Sequence, residues 1–318
     1  MDIIISMTPT ALMLAAPIIV CALGGLFSER SGVVNIALEG IMLIGAFTGA
    51  TVCYFVEFTS LSAYAGTISL ITATIAGMVF SLLLAVSAIN FKADQTIAGV
   101  AVNMLAAGVS VYLCQLIFDQ QRTLAVNKGI GKIKEVPILS NIPILGDMFF
   151  TNIYPTIFIA LVMVFITYYV VYKTSFGLRL RACGEHPQAA ESMGVNVYKT
   201  RYAGVVISGG LGGLAGAMLV LTAGTQFTAT SIHGIGFISI AALIFGKWNP
   251  FGVLGAGLFF GISSAIGVYA SLIPLLNLIP SDFFKTIPYV LTIVALVIFS
   301  GKAVGPKAAG EIYDKGKR

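Results

Sequence analysis

The sequence has 318 residues, of which 58% are hydrophobic and only 10% are charged, and its mean hydropathy is +0.97. Because a soluble domain carries roughly a quarter charged residues, this composition excludes an ordinary soluble protein and predicts a chain surrounded by lipid. The net charge of +5 comes from Lys and Arg residues that lie between and after apolar runs, so it indicates membrane orientation rather than nucleic-acid binding.

Nine apolar segments are candidates for spanning helices, since a helix needs about 20 largely apolar residues to cross a bilayer. They are residues 8–27, 33–56, 62–89, 96–118, 152–172, 201–223, 232–246, 250–271 and 285–300. The first has no basic residue before it, so we expect a retained membrane helix rather than a signal peptide. The seventh is too short to span comfortably. The predicted fold class is all-α, a polytopic helical membrane protein with about eight or nine transmembrane helices.

Glycine is concentrated in the sixth segment, where five glycines between residues 209 and 216 alternate with apolar side chains. Helices in lipid pack through small residues that let their backbones approach closely. The pattern therefore predicts a close-packing face rather than a flexible loop.

Basic residues predict the orientation of the chain. The loop 173–201 and the tail 302–318 each hold five Lys or Arg residues, so both should be cytoplasmic. Counting segments between them gives an even number, which is consistent, and places the N-terminus and residues 119–151 outside. We therefore expect a transmembrane domain at residues 1–301 and a basic cytoplasmic tail at residues 302–318.

A short helix is predicted inside the basic loop. His186 can serve as a cap, Pro187 suits the first turn of a helix, and Gly194 can end it in a left-handed conformation. Residues 188–193 then form about two turns, which are unstable in water without a partner surface. The helix is either a simple connector or a coupling helix that rests in a groove of an ATPase and transmits its closure.

Charged residues interrupt the apolar pattern at residues 28–40. Burying Glu29, Arg30 or Glu39 in lipid is costly, so these side chains should pair, face a cavity or lie at an interface. One interpretation is an interfacial turn with a Glu29–Arg30 pair. The other is a broken helix whose freed backbone groups and Asn35 line a solute path, with Glu39 available to hydrogen-bond a ribose hydroxyl.

Residues 225–236 form a second candidate break and a weaker candidate for the path. Gln226 and His233 flank it, and Phe227 could stack on a base. The other polar residues inside spans, Asn103 and Gln115, more often bond one helix to another. His233 has no partner at metal-ligand spacing, so neither a metal site nor a cofactor is predicted.

Three stretches resemble a known family. Residues 25–50 read GLFSERSGVVNIALEGIMLIGAFTGA, residues 177–197 read GLRLRACGEHPQAAESMGVNV, and residues 234–261 read GIGFISIAALIFGKWNPFGVLGAGLFFG. The second is similar to the cytoplasmic loop of permeases in the ABC importer family for branched-chain amino acids, ribose-type sugars and nucleosides. The other two resemble its nucleoside and simple-sugar branch. The loop has His186 where the family more often has Asn.

The resemblance implies an ABC importer permease-like fold and a permease subunit that moves nucleosides inward across a bacterial cytoplasmic membrane. Implied partners are a cytoplasmic ATP-binding subunit, a second permease subunit (a paralogue or the chain itself), an extracellular substrate-binding protein or lipoprotein, and membrane lipid. The residues implied to couple to the ATPase are Gly184, Glu185, His186, Pro187, Ala189, Ala190 and Gly194. Without a Walker motif, ATP must be hydrolysed by another chain, so no enzyme is predicted.

Three alternatives remain. The permease could carry a simple sugar or a branched-chain amino acid. The chain could instead be an ion-coupled secondary transporter in which Glu29 and Glu39 titrate. A membrane-embedded enzyme would need a cluster of Asp, His or Ser residues near one interface, and two histidines with no acidic motif argue against it.

Overall fold

The computed structural model describes residues 2–136, 146, 150–269, 286, 290 and 305–315. Over these residues the helices are α1 (Asp2–Arg30), α2 (Leu38–Glu57), α3 (Ala65–Ala85), α4 (Gln95–Phe118), α5 (Thr156–Lys173), α6 (Ser175–Glu185), α7 (Pro187–Ser192), α8 (Val197–Ala223), α9 (Ile235–Phe245) and α10 (Pro250–Tyr269). A 3₁₀ turn at Ser62–Tyr64 precedes α3, and a π-helical turn at Val86–Asn90 follows it. Strands β1 (Ile133–Glu135) and β2 (Thr151–Ile153) pair antiparallel.

Seven helical stretches of the described residues are long and apolar enough to cross a bilayer, and each corresponds to a predicted segment. They are Ser6–Arg30, Leu38–Glu57, Ser62–Asn90, Gln95–Phe118, Thr156–Lys173, Val197–Ala223 and Pro250–Tyr269. The predicted seventh segment is α9, whose 11 residues extend about 16 Å, half of a hydrocarbon core of about 30 Å. The predicted segment 285–300 lies outside the described residues, apart from Thr286 and Val290.

Several helices begin or end at residues other than those predicted. Helix α2 begins only at Leu38 because the residues after α1 form a turn. Helix α5 begins at Thr156 rather than residue 152, since Thr151–Ile153 is paired as a strand. The predicted loop 173–201 is largely helical, because α6 and the start of α8 lie within it.

Helix α8 is the centre of the bundle and packs against α1, α2 and α3. Its glycines make that packing possible: a Cβ on Gly209 would collide with the Ser81 side chain, and one on Gly213 or Gly216 would collide with a carbonyl oxygen of α3 or α2. The predicted close-packing face is thereby confirmed. Backbones in direct contact replace the larger side chains that fill soluble cores.

The outer faces of α3 and α4 carry large apolar side chains with no protein cover. Ile71, Ile75 and Val79 on α3, and Ile97 and Met104 on α4, are all more than half exposed. A row of such residues on a protein of this composition is the surface that acyl chains cover.

Candidate translocation path and coupling surface

The first break separates α1 from α2. Helix α1 ends at Arg30, and Gly32 follows with a φ of +94°, a left-handed conformation that a side chain rarely adopts. The hydroxyl of Ser28 donates to the carbonyl of Val33 at 2.7 Å, which closes the turn. Residues 31–37 are therefore a non-helical segment in the middle of an apolar sequence, which both interpretations predict.

Side chains from other helices satisfy the backbone of this break. The Oε1 of Gln95 accepts from the amide of Val34 at 2.7 Å. Asn103 bonds on both sides, accepting from the amide of Gly40 at 2.7 Å and donating to the carbonyl of Ile36 at 2.9 Å. Because buried backbone groups without a partner are costly, these bonds from Gln95 and Asn103 stabilise the break.

Asn35 is held inside the break rather than exposed to a cavity. Its side chain is 1% exposed, and its amide donates to the Oγ of Ser208 on α8 at 2.8 Å. Its Oδ1 has no hydrogen-bond partner among the described residues. In this conformation Asn35 links the break to α8 and does not reach a solute.

Glu29 and Arg30 do not pair with each other. The Nε1 of Trp248 donates to the Oε2 of Glu29 at 2.6 Å, and Glu29 is 6% exposed. Arg30 donates to the carbonyl of Trp248 at 3.1 Å and lies 3.9 Å from the carboxylate of Glu185. The expected Glu29–Arg30 pair is wrong. The turn after α9 and the end of α6 supply the partners, and sequence spacing does not show either of them.

The second break lies between α8 and α9 and pairs with the segment after α4. The amide of Phe227 donates to the Oγ1 of Thr123 at 2.9 Å, and the amide of Thr123 donates to the carbonyl of Phe227 at 3.1 Å. Phe227 is fully buried, and its ring meets that of Phe47 edge to face at 5.7 Å. It is a core residue in this conformation, so its expected role in stacking on a base has no accessible ring face. Gln226 is half-buried beside it.

Glu39 joins the two breaks. Its Oε1 accepts from the amide of Gly234 and its Oε2 from the amide of Gly236, each at 2.7 Å. These amides open α9, where the unpaired N–H groups and the helix dipole favour a negative charge. His233 is exposed, precedes Gly234 and acts electrostatically on Glu39. The sequence treats these residues as two separate candidates, whereas the fold places them together.

The basic loop 173–201 contains the predicted short helix. Pro187 is its first residue, and Gly194 ends it with a φ of +83°. His186 occupies the cap position, but its side chain makes no capping hydrogen bond. The helix exposes His186, Gln188, Ala189, Ser192, Met193 and Gly194, and Met193 is 84% exposed.

Ala190 faces the other way, into the protein, so its side chain is not on the exposed side of α7, and its contact with an ATPase stays a prediction. It is 5% exposed and packs in a cluster with Cys183, Val197 and Tyr313. Gly184 and Pro187 are also buried, and Glu185 is half-buried beside Arg30. Helical periodicity alone could not assign the inner face, because the covering residue Tyr313 lies far away in the sequence.

A cavity of about 220 Å³ opens at the opposite end of α8, among residues that the sequence does not single out. It is lined by Val126, Asn127, Gly129, Ile130, Gly131, Tyr154, Val220, Leu221, Thr222, Gly224 and Thr225. Its polar groups come mostly from loops after α4 and α8, which carry no periodic signal. The cavity adjoins the second break through Thr225.

Seven apolar helical stretches among the described residues, each long enough to cross a bilayer, define a multi-pass membrane protein. The chain belongs to the family described as "Branched-chain amino acid transport system / permease component", whose model matches residues 7–296. As a permease component of a transport system, it works together with other components.

Curated relatives resemble the chain over nearly its whole length. It is 50% identical to the guanosine ABC transporter permease protein NupQ of Bacillus subtilis, over 98% of this chain and 97% of that protein. It is 44% identical to the nucleoside ABC transporter permease protein NupC of Lactococcus lactis, over 96% of each. A putative glucose ABC transporter permease protein of Haloferax volcanii is 30% identical, over 89% of this chain and 88% of that protein.

Proposed function

We propose that the chain is a permease subunit of an ATP-driven importer that moves nucleosides inward across the cytoplasmic membrane. The observation that carries this proposal is 50% identity to a guanosine permease over 98% of the chain. The glucose relative, at 30% identity, makes a simple sugar the second candidate. The large difference in identity favours the nucleoside.

The proposed partners follow from the family. A cytoplasmic ATP-binding subunit would supply the driving force, and an extracellular binding protein or lipoprotein would deliver the solute. A second permease subunit, a paralogue or a second copy, would complete the pathway. The loop 173–201 and the tail 302–318 are proposed to be cytoplasmic, which is supported by contacts that place residues 305–315 against α6 and α7.

We place the solute path along the two breaks and their junction at Glu39. Glu39 and Gln226 are half-buried and His233 is exposed, so these side chains are accessible to a solute. Asn35 and Phe227 are buried and hold the breaks in place. A carboxylate that accepts two backbone amides can exchange one of them for a ribose hydroxyl when α9 shifts.

The ATPase contact is proposed to be the exposed side of α7, with Met193 at its centre. Met193→Asp places a charge on this side and leaves the buried cluster around Ala190 untouched. We expect unchanged thermal stability and a loss of about tenfold or more in ATPase affinity, equivalent to about 1.4 kcal/mol. The matched variant Ala190→Asp should instead lower the melting temperature. Equal ATPase affinity for Met193→Asp and the unmodified chain would exclude this surface.

The function is tested by uptake into vesicles that contain the assembled transporter. Radiolabelled guanosine, cytidine, glucose and leucine are supplied with the binding protein outside, and ATP is supplied on the side of the ATPase. Guanosine or cytidine uptake should require ATP and persist with ionophores. Glucose uptake alone would favour the second candidate. Uptake that is abolished by ionophores and indifferent to ATP would show an ion-coupled transporter and refute the proposal.

A further inference from the structure

Residues 305–315, called the tail segment below, are docked onto the body of the protein rather than extended from it. Ala308 is 2% exposed and Tyr313 is 5% exposed. The amide of Ala308 donates to the carbonyl of Gly184, at the end of α6, at 2.8 Å. A stretch with four charged residues in eleven is usually a solvated tail, so its burial calls for a physical reason.

The tail segment is attached to the coupling helix α7 by three contacts. Lys315 lies 3.6 Å from the carboxylate of Glu191, and the Tyr313 phenol lies near the same carboxylate. The Tyr313 ring packs on Cys183 and on Ala190, the inner face of α7. Burial and the Glu191 carboxylate raise the pKa of Tyr313.

The same segment is attached to the first helix break. The amide of Gly310 donates to the carbonyl of Gly32 at 3.3 Å, directly after α1. Gly310 has a φ of +83°, so the turn that presents this amide depends on glycine. Between Ala308 and Gly310, the tail segment therefore passes from the end of α6 to the break that we place on the solute path.

Arg201 on α8 anchors the tail segment between these two attachments. It is 2% exposed, and its Nη1 donates to the carbonyl of Glu311 at 3.0 Å. Its guanidinium lies 5.7 Å from the centroid of the Tyr313 ring. Its Nε and Nη2 have no hydrogen-bond partner among the described residues. A buried arginine with so few partners is costly, which the Glu311 carbonyl and the Tyr313 ring partly offset.

Apart from the tail segment, the loop 173–201 and the first break meet where Gly184 packs against the Arg30 carbonyl and through an ion pair. That ion pair joins Arg30 to Glu185 at 3.9 Å, and the Glu185 side chain is 43% exposed. Exposed ion pairs of this kind contribute little. The tail segment adds a backbone hydrogen bond at Gly184 and another at Gly32, neither of which is screened by salt.

We propose that the tail segment is a tie that transmits displacement of the coupling helix α7 to the break at residues 31–37. When an ATPase moves α7, Tyr313 and Lys315 move with it, and the Gly310 amide pulls on the Gly32 carbonyl. This inference rests on the proposed coupling function of α7. It assigns the tail segment a role in converting ATP hydrolysis into transport.

The test compares truncated chains in the assembled transporter. A chain ended after Lys307 keeps the contact of Gly305 with the Trp248 ring and removes the tie. A chain ended after Lys315 is the matched control, because it keeps every contact described above. Arg201→Met is a second variant that removes the anchor, preserves volume and eliminates a buried charge, a change that buried sites often tolerate.

Cys183 reports release of the tie independently of activity. It is fully buried beneath Tyr313, and burial raises the pKa of its thiol, so it should react slowly with a maleimide. Replacing Cys21, Cys53 and Cys114 with alanine leaves Cys183 as the sole thiol. Faster labelling of Cys183 then shows that the tail segment no longer covers this residue.

The expected result is retained ATP hydrolysis with guanosine uptake per ATP reduced by about tenfold, within the usual range of coupling between sites. Either variant tests the tie, provided that it assembles into the transporter and that its Cys183 is labelled faster than in the control. Unchanged uptake per ATP in such a variant overturns the tie and leaves the proposed function intact. If the unmodified transporter shows no ATP-dependent uptake, the proposed function fails and the tie fails with it.

Discussion

The junction at Glu39 yields the sharpest prediction. Its carboxylate accepts from the amides of Gly234 and Gly236, both at 2.7 Å, at the start of α9. A hydrogen bond to a charged group contributes about 1.5–3 kcal/mol. Glu39→Ala removes both bonds and should cost about 3–6 kcal/mol, a large part of a typical total stability of about 5–15 kcal/mol.

Glu39→Gln is the more informative change because it preserves size. The amide oxygen of the substituted side chain can still accept from one backbone N–H. Its NH₂ group faces the other backbone N–H, so two donors meet and no hydrogen bond forms there. The variant should lose about 2 kcal/mol in the stability of the first turn of α9. Because 1.4 kcal/mol is a factor of ten, amide hydrogen exchange at Gly234 and Gly236 should become about thirtyfold faster.

Glu57 provides a matched control. It also accepts from two backbone amides, those of Asn127 at 3.0 Å and Lys128 at 3.4 Å, but at the surface. Water replaces these bonds when they are lost, so Glu57→Gln should cost less than about 1 kcal/mol. Both variants are compared by hydrogen exchange and thermal unfolding in the same detergent. Equal effects of Glu39→Gln and Glu57→Gln would refute the view that Glu39 stabilises the start of α9.

Two further predictions concern contacts between helices, one a hydrogen bond and the other the close packing of two backbones. Trp248→Phe removes the indole N–H that reaches Glu29 at 2.6 Å, leaves a buried carboxylate unpaired, and should destabilise the protein by about 2–3 kcal/mol. A double-mutant cycle with Glu29→Gln should give a coupling energy of at least about 1 kcal/mol, and strict additivity would contradict the pairing. Gly45→Ala should lower stability by at least about 2 kcal/mol in thermal unfolding, because its Cβ would collide with the backbone of Gly213. Gly108→Ala, with nothing within 4 Å, is the control and should be neutral or slightly stabilising, and equal effects of the two glycine changes would contradict close contact.

The spans could be predicted because they depend only on local composition. Seven apolar runs became long helices, and the short predicted segment became α9, too short to cross alone. Pro187 and Gly194 likewise fixed the ends of α7 through local backbone preferences. The strand at Thr151–Ile153 was not predictable, since three residues carry too little periodicity.

The partners of the charged residues could not be predicted. Glu29 and Trp248 are 219 positions apart, and Glu39 and Gly234 are 195 positions apart. Adjacent opposite charges suggested the Glu29–Arg30 pair, but burial favoured a donor supplied by the fold. The burial of Ala190 could not be predicted for the same reason, because the covering ring of Tyr313 comes from the tail.

The glycine contacts of α8 also constrain how the protein can move. Gly213 touches the backbone of α3 and Gly216 touches the backbone of α2, in both cases with no side chain between the helices to change rotamer. Sliding or rotating α8 at these two positions would drive one backbone into another, which disfavours movement of α8 relative to α2 and α3. We therefore expect hinge motion in the non-helical segments, residues 31–37 and the stretch before α9. Alternating access in this protein would be a rearrangement of its breaks around a fixed helical frame.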